Sequence, residues 1–276
     1  MRRNVKVQLE DIRKIWTYEE RDVAASIEMW DSMATKFGEF ELPSSSNSTL
    51  LKLLEENEML QPEYTVLDVG CGAGKYSLAL AKKCQNVVGL DLSSKMIEKA
   101  KIKKEEMGIE NAEFHVCNWH ELDLKQIDYM GKFDLVIANM TPGVRSAETF
   151  EKLHQASRGY CVLAKPIKRT DPVSDEIRKM LSIERKMETG DKDILYAFAL
   201  LWLQGILPKL IYEPRIWDQK RTVDEASKLY VNRMKSYREL TSDEEDQIDK
   251  YLMSIAKDGH IEEKVNTTIA TMYWEV

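Results

Sequence analysis

Two aspartates and three closely spaced glycines are the residues whose types and spacing suggest chemistry in this chain. Asp68 lies in the stretch VLDVGCGAG, with glycines at positions 70, 72 and 74, and Asp91 ends the next apolar run, VVGLD. Glycine lets a backbone turn sharply and approach a ligand closely, because no Cβ is in the way. An acid at the end of a strand can accept hydrogen bonds from vicinal ribose hydroxyls. The pattern therefore predicts a nucleoside-like ligand.

The spacing of the glycines distinguishes two classes of such ligands. The dinucleotide fingerprint G-x-G-x-x-G needs a third glycine three positions after the second, but Lys75 or Ser77 stands there, depending on the register. A carboxylate at Asp68 would repel a pyrophosphate, whereas it suits a cationic amino group. A ligand with a ribose, adenine and an aminoacyl tail fits both acids.

Strand-like runs alternate with helical segments from about residue 65 to residue 165 and must position these groups. The runs are TVLDV, VVGLD, AEFHV, FDLVIA and YCVLAK. Repeated β-then-α units imply a parallel sheet covered on both faces. The segments 209–219 and NTTIATMYWEV at the C-terminus read as further strands. We expect a doubly wound α/β fold whose mostly parallel, seven-stranded sheet has five parallel strands and a C-terminal pair with one strand reversed. His115 should face the sheet interior.

Helical segments flank this region. In residues 1–60 an apolar stripe at i, i+3, i+4 and i+7 indicates a helix that faces a core, and its members are Trp30, Met33, Ala34 and Phe37. Further helices are predicted at about 170–207 and 222–258. We expect the N-terminal and inserted helices to form a cap over the α/β region.

Composition narrows the class of protein. The 276 residues carry a net charge of -7, which argues against a dedicated polyanion binder, so nucleic acid is not expected as a partner. The four cysteines show no CxxC pairing, which predicts a reduced, cytoplasmic protein without a structural metal. The longest apolar run, ILYAFALLWL, is shorter than the about 20 residues that span a bilayer, so no membrane association is expected. The oligomeric state stays open.

Four stretches, in order and at matching spacing, resemble the successive motifs of class I S-adenosylmethionine-dependent methyltransferases. They are VLDVGCGAGKYSLALA, VVGLDLSSKMIEKAK, AEFHVCNWHELDL and FDLVIANM. The resemblance covers about residues 65–165. It implies a Rossmann-like methyltransferase fold with S-adenosyl-L-methionine as cofactor. The expected domains are an N-terminal cap of residues 1–60 and a methyltransferase domain of residues 61–276.

The resemblance also implies the cofactor contacts. Those to the methionine portion are Asp68 and the backbone of Gly70, Cys71, Gly72 and Gly74. Those to the ribose and adenine are Asp91, Leu92, Met96, Asn118 and Trp119. Family members often carry Asp at the position of Asn118, but the oxygen of an Asn side chain can still accept from the adenine amino group. Asn139 would border the site of methyl transfer.

The acceptor is less defined than the cofactor. Methyl transfer from a sulfonium is a direct displacement, so a general base is optional, and the candidate base is His120. The loop NMTPGV departs from the Asn/Asp-Pro-Pro-aromatic pattern of base-directed amino methyltransferases. We expect a small-molecule acceptor under a roof that includes Trp16, Tyr18 and residues 196–202. A nucleic-acid or protein methyltransferase, or a non-catalytic protein that binds the cofactor, stays open.

Overall fold

The computed structural model describes residues 8–17, 23–184, 189–235 and 237–276. The strands are β1 (Thr65–Val69), β2 (Asn86–Asp91), β3 (Ala112–Val116), β4 (Phe133–Asn139), β5 (Ser157–Thr170), β6 (Lys209–Thr222) and β7 (His260–Glu275). The helices before β4 are α1 (Leu9–Ile15), α2 (Val23–Gly38), α3 (Thr49–Glu56), α4 (Lys75–Ala81) and α5 (Ser94–Glu106). Those after β4 are α6 (Ala147–Ala156), α7 (Pro172–Met180), α8 (Thr189–Leu203), α9 (Val223–Lys235) and α10 (Ser242–Ile255).

The seven strands form one mixed sheet in the order β3-β2-β1-β4-β5-β7-β6. β1 pairs in parallel with β2 and β4, β2 with β3, and β4 with β5. The chain leaves β1 in one direction to β2 and β3 and returns on its other side to β4. This reversal of strand order opens a crevice at the carboxyl ends of β1 and β4, where ligands bind in sheets of this kind. The predicted doubly wound, mostly parallel fold is confirmed.

The central strands are apolar because helices cover both of their faces. Val66, Leu67, Leu135 and Ile137 are fully buried in β1 and β4. The buried residues of α3, α4 and α5 pack into the same core. These buried strands form a rigid scaffold that positions the loops at their ends, and binding residues commonly lie on such loops.

Two residues lie elsewhere than the sequence predicts. His115 is exposed, because alternate residues of a strand face opposite sides and the apolar Ala112 and Phe114 of β3 take the buried side. The side chain of Phe37 is 47% exposed, whereas Ala34 on the same helix is buried. The core-facing stripe of α2 is therefore narrower than its periodicity predicts.

The chain divides into two compact units. The first comprises Met1–Lys165, Lys192–Ile211 and Ala270–Val276, and the second comprises Pro166–Asp191 and Tyr212–Ile269. The second unit has its own apolar core, in which α7, α9 and α10 meet. Within that core the hydroxyl of Tyr230 donates a 2.6 Å hydrogen bond to Glu263. Across the described ranges, every helix is too short or too polar to cross a bilayer.

Candidate functional site

Asp68 is a buried carboxylate near the carboxyl end of β1. Its Oδ2 atom accepts a 2.6 Å hydrogen bond from the hydroxyl of Ser77 in α4. Burial raises the pKa of Asp68 to about 7; the Ser77 hydrogen bond opposes this, and repulsion from Asp91 adds to it. A neighbouring cation would stabilise the carboxylate. This position therefore fits the cationic amino group of the expected cofactor.

Asp91 ends β2 and also holds the glycine loop. Its Oδ2 atom accepts the backbone N–H of Gly72 at 2.8 Å, and its Oδ1 atom accepts that of Ser93 at 2.9 Å. Burial raises the pKa of Asp91, and these backbone hydrogen bonds oppose the rise. A carboxylate offers about four lone-pair sites, so Asp91 keeps acceptor capacity for ribose hydroxyls.

The glycine loop passes between a packed neighbour and open space. Gly70 and Gly72 have φ angles of 72° and 56°, in the left-handed region that favours glycine. A Cβ at Gly70 would lie 1.9 Å from Oγ1 of Thr141, whereas a Cβ at Gly72 would meet no atom within 4 Å. Gly70 is therefore needed for packing, and the backbone at Gly72 borders a space that a ligand can enter.

Cys71, within the same loop, is a packing residue rather than a nucleophile. Its thiol is partly buried and donates to the carbonyl of Gly72 at 3.6 Å. Burial raises the pKa of Cys71, and the carboxylates of Asp68 and Asp91 raise it further. The thiol therefore stays neutral at physiological pH.

Helix α6 holds the loop that follows β3. Asn118 accepts the backbone N–H of His120 through its side-chain oxygen at 3.2 Å. The indole of Trp119 is buried and donates to the carbonyl of Thr149 at 2.9 Å. Lys152 donates to the carbonyls of Trp119 and His120 at 3.3 and 2.6 Å. The implied contacts of Asn118 and Trp119 with adenine stay predictions.

Helix α2 packs on the start of α5. Met96 is 2% exposed and forms one apolar cluster with Ala34 of α2 and Ala73 of the glycine loop. Ser93, the N-cap residue of α5, donates its hydroxyl hydrogen to Asp31 of α2. Met96 thus has a place in a core cluster, and a contact with adenine stays a prediction for it. Leu92 is half-buried beside Asp91.

Asn139 ends β4 and begins the loop Asn139–Val144, named here the acceptor loop. Met140 follows with a φ of 58° and donates its N–H to the carbonyl of Ala164 at 2.9 Å. Thr141 is buried, and its hydroxyl oxygen accepts the N–H of Gly143 at 3.0 Å. The side chain of Thr141 is therefore turned inward, where it caps the turn at Gly143.

Three loops therefore meet at one edge of the sheet. Thr141 of the acceptor loop lies against Gly70, and a Cβ on Gly143 would be 4.0 Å from Trp119. Asp68 and Asp91 belong to the same edge, while His120 and Asn139 lie on two of the converging loops. Within the described ranges, no group of three or more histidines, cysteines and carboxylates is arranged to hold a metal ion.

Sequence reasoning missed several residues that hold the site together. They are Ser77, Thr141, Lys152, Lys165 and Asp193. For Ser77 the available signal was a polar residue on the buried face of the apolar segment KYSLALA. For Lys165 it was a lysine at the end of the apolar run YCVLAK. Of the predicted roof residues, Trp16 is 4% exposed, whereas Trp202 is 57% exposed, and Tyr18 lies outside the described residues.

Known proteins share sequence features with this chain. A protein-family model described as a methyltransferase domain matches residues 60–229. The release factor glutamine methyltransferase of Haemophilus influenzae is 27% identical over 187 residues, which are 64% of this chain and 59% of that protein. The 23S rRNA (uracil(1939)-C(5))-methyltransferase RlmD of Aliivibrio fischeri is 36% identical over 73 residues, 26% of this chain and 17% of that protein. The chain thus spans less than two thirds of either relative.

Two solved structures share the fold. YcgJ of Bacillus subtilis superposes with a TM-score of 0.50 at 19% identity, over 80% of this chain and 96% of that chain. Phosphoethanolamine N-methyltransferase 2 of Haemonchus contortus, in complex with phosphomonomethylethanolamine and S-adenosylhomocysteine, has a TM-score of 0.50 at 15% identity. That likeness covers 94% of this chain and 60% of the other. At these identities the likeness concerns the fold.

Proposed function

Because this chain belongs to the methyltransferase-domain family, we propose that the protein transfers a methyl group to a small-molecule acceptor. Its domain is an S-adenosylmethionine-dependent methyltransferase domain. S-adenosyl-L-methionine supplies a methyl group that is already activated on a sulfonium, so the chemistry is a direct displacement. What the chain must add is binding, alignment and exclusion of water.

The two carboxylates would divide the work of binding. Asp68 would accept from the amino group of the methionine portion, and Asp91 from the ribose hydroxyls. The backbone at Gly72 leaves open space for the part between them. Holding both ends of a ligand restricts its motion, and alignment of reacting groups is worth about 7–11 kcal/mol in well-oriented reactions. The cofactor contacts of Leu92, Met96, Asn118 and Trp119 are part of the same proposal.

The observation that carries the small-molecule acceptor is the packing of the N-terminal helices on the loops of the site. Helix α2 contacts the glycine loop through Ala34 and Ala73. The carbonyl of Trp16, at the end of α1, accepts the N–H of Ala147, which begins α6 three residues after the acceptor loop. Helices packed on these loops favour an enclosed, small acceptor over a macromolecule, because an enclosed site excludes water and large partners.

The chain offers two residues for the chemistry at the acceptor. Asn139 would border the transferred methyl group, and its side-chain oxygen can accept from an acceptor N–H or O–H. His120 would serve as the general base if the acceptor is a hydroxyl, since such an acceptor must lose a proton. An amine with a free lone pair needs no base for the displacement itself.

A macromolecular acceptor is the alternative. The relatives named above act, by their names, on a release factor and on ribosomal RNA. The prediction against nucleic acid therefore has no support from these relatives. It depends on the net charge of -7 and on the departure of the NMTPGV loop from the base-directed pattern. A cytoplasmic location likewise stays a prediction.

The test is transfer of a radioactive methyl group from S-adenosyl-L-methionine into three acceptor pools. The first pool holds small amines, thiols and alcohols, including phosphorylated ethanolamines; the others hold total RNA and soluble protein. We expect label in the small-molecule pool. Label in RNA or protein alone would overturn the small-molecule acceptor. Calorimetric binding of the cofactor without label in any pool would favour a non-catalytic binding protein.

A further inference from the structure

A buried lysine at β5 is bonded to the acceptor loop. The Nζ atom of Lys165 donates to the carbonyls of Thr141 and Val144 at 2.8 and 2.6 Å. Its third partner is the Oδ2 atom of Asp193 in α8 at 3.1 Å, and the two side chains are 5% and 2% exposed. An ammonium group has three donors. Two of these donors bond to the acceptor loop, and the carboxylate of Asp193 forms an ion pair with the buried ammonium group.

Asp193 extends this network to the N-terminal helix. Its Oδ1 atom accepts the indole N–H of Trp16 at 3.1 Å. The carbonyl of Trp16 accepts the N–H of Ala147, the first residue of α6, at 2.8 Å. The ring of Trp16 packs against Phe150 and Tyr196, with ring centroids 5.6 and 6.0 Å apart. The chain after β4 is thus held at Thr141 and Val144 by Lys165, and at Ala147 by Trp16.

We infer that Trp16, Lys165 and Asp193 are positioning residues that hold the acceptor loop in the shape that receives the methyl acceptor. This inference rests on the proposed function, in which Asn139 of that loop borders the acceptor. The three residues are named the Lys165 clamp. They are not catalytic residues, because their polar atoms bond to one another and to loop backbone.

The chemistry of the clamp favours positioning over stability. A buried ion pair can often be replaced by apolar side chains without loss of stability. An apolar pair, however, has no donors for the carbonyls of Thr141 and Val144. Thr141 also lies against Gly70, so the clamp sets the acceptor loop relative to the loop that would hold the cofactor. Misplacement by about 1 Å can cost about 100-fold in rate.

The decisive experiment measures backbone hydrogen exchange in residues 139–147 of the full chain with S-adenosylhomocysteine bound. In Lys165→Met we expect exchange there to rise at least about tenfold, because the loop loses two hydrogen bonds while the buried volume is kept. Calorimetric affinity for S-adenosylhomocysteine should stay within about threefold. For any acceptor that the wild type methylates, KM should rise or kcat should fall with cofactor KM unchanged.

Lys152 provides the matched control. It also donates to two loop carbonyls, but those belong to Trp119 and His120 after β3. Lys152→Met should increase exchange in residues 117–122 and weaken the binding of S-adenosylhomocysteine. Exchange in residues 139–147 should stay close to wild type. Hydrogen exchange in the two lysine variants should therefore distinguish the loop held by Lys165 from the loop held by Lys152.

Trp16→Phe and Asp193→Asn keep the inference testable if Lys165→Met does not fold. Trp16→Phe removes only the indole N–H and keeps a ring against Phe150 and Tyr196, and it should raise exchange at Ala147. Asp193→Asn should raise exchange across residues 139–147. Wild-type exchange in that segment for every folded clamp variant overturns the inference. Failure of the wild type to bind S-adenosylhomocysteine overturns the proposed function instead.

Discussion

The carboxylate of Asp91 accepts the backbone N–H of Gly72 at 2.8 Å, so the acid that ends one strand holds the loop that follows its neighbour. β1 and β2 are parallel, with Val69 opposite Leu90. This register brings Asp91, at the end of β2, next to Gly72 in the loop after β1. The acid is therefore a structural partner of the glycine loop before any ligand binds. A substitution of Asp91 has to be interpreted with both roles in mind.

Asp91→Ala should lower the affinity for S-adenosyl-L-methionine, measured by calorimetry, at least about tenfold. A hydrogen bond to a charged group is worth about 1.5–3 kcal/mol, and two ribose hydroxyls would lose their acceptor. Asp91→Asn is the control for the glycine loop, since the amide oxygen can still accept from Gly72. We expect Asn to keep the melting temperature closer to wild type than Ala does, with cofactor affinity still reduced. Wild-type affinity in both variants would show that Asp91 does not bind the ribose hydroxyls.

Cofactor affinity should depend on pH through Asp68. Its pKa of about 7 in the folded protein lies above the ordinary 3.8 because of burial. Binding of a cationic amino group needs the ionised carboxylate, so affinity should fall by up to about tenfold per pH unit below pH about 7. Calorimetry at several pH values measures this dependence.

Two variants at this position provide the controls. Ser77→Ala removes a hydrogen bond that lowers the pKa of Asp68, so the midpoint of the pH dependence should move upward. Asp68→Asn should bind weakly at every pH and lose the dependence. If the wild type shows a flat profile between about pH 6 and about pH 8, the cationic group is not paired with Asp68.

The stability of the ligand-free protein should show the opposite trend with pH. Because the folded-state pKa of Asp68 is raised, its contribution to stability is full below pH 3.8 and is lost as the pH rises through about 7. Asp68→Asn removes this loss. We therefore expect the variant to gain melting temperature relative to wild type as the pH rises from about 5 to about 8. An unchanged difference between the two proteins over that range would contradict the buried, proton-binding state of Asp68.

Gly70→Ala and Gly72→Ala should fail in different ways. Both glycines have positive φ angles, so alanine carries a similar backbone cost of about 1–2 kcal/mol at either position. Only at Gly70 does the added Cβ collide with Thr141. Gly70→Ala should therefore have the lower melting temperature, while Gly72→Ala should fold and lose cofactor affinity because its methyl group enters the open space. Equal cofactor affinity in Gly72→Ala and wild type would show that this space is not the cofactor cradle.

His120→Ala should distinguish the chemistry of the acceptor. With an amine acceptor, kcat should stay within about threefold of wild type, since no proton has to leave before the displacement. With a hydroxyl acceptor, kcat should fall about 100-fold or more. His115→Ala is the matched control, because His115 is exposed on the edge strand β3 and should leave kcat unchanged. A large loss for an amine acceptor would assign His120 a role other than that of a base.

The succession of strands along the chain and the place of the two acids follow from local sequence. The runs TVLDV and VVGLD predict two strands, the first with Asp68 near its end and the second ending in Asp91. Both strands occur within one residue of the expected bounds. Alternation of apolar runs with amphipathic segments is a local property, as is the capping serine before α5. The family was recognisable for the same reason, because its motifs lie at the ends of successive strands.

The acceptor side was decided by tertiary structure. Trp16, Thr141, Lys165 and Asp193 are distant in sequence, and only the folded chain shows that they meet. The wrong prediction for His115 has the same cause. Strand alternation predicts that a strand has two faces, but not which face neighbouring elements cover. Local propensity acts over a few residues, whereas burial of polar groups depends on partners from any part of the chain. The sequence alone therefore determined where Asp68, Asp91 and the glycine loop lie, and long-range packing determined how the loop Asn139–Val144 is held.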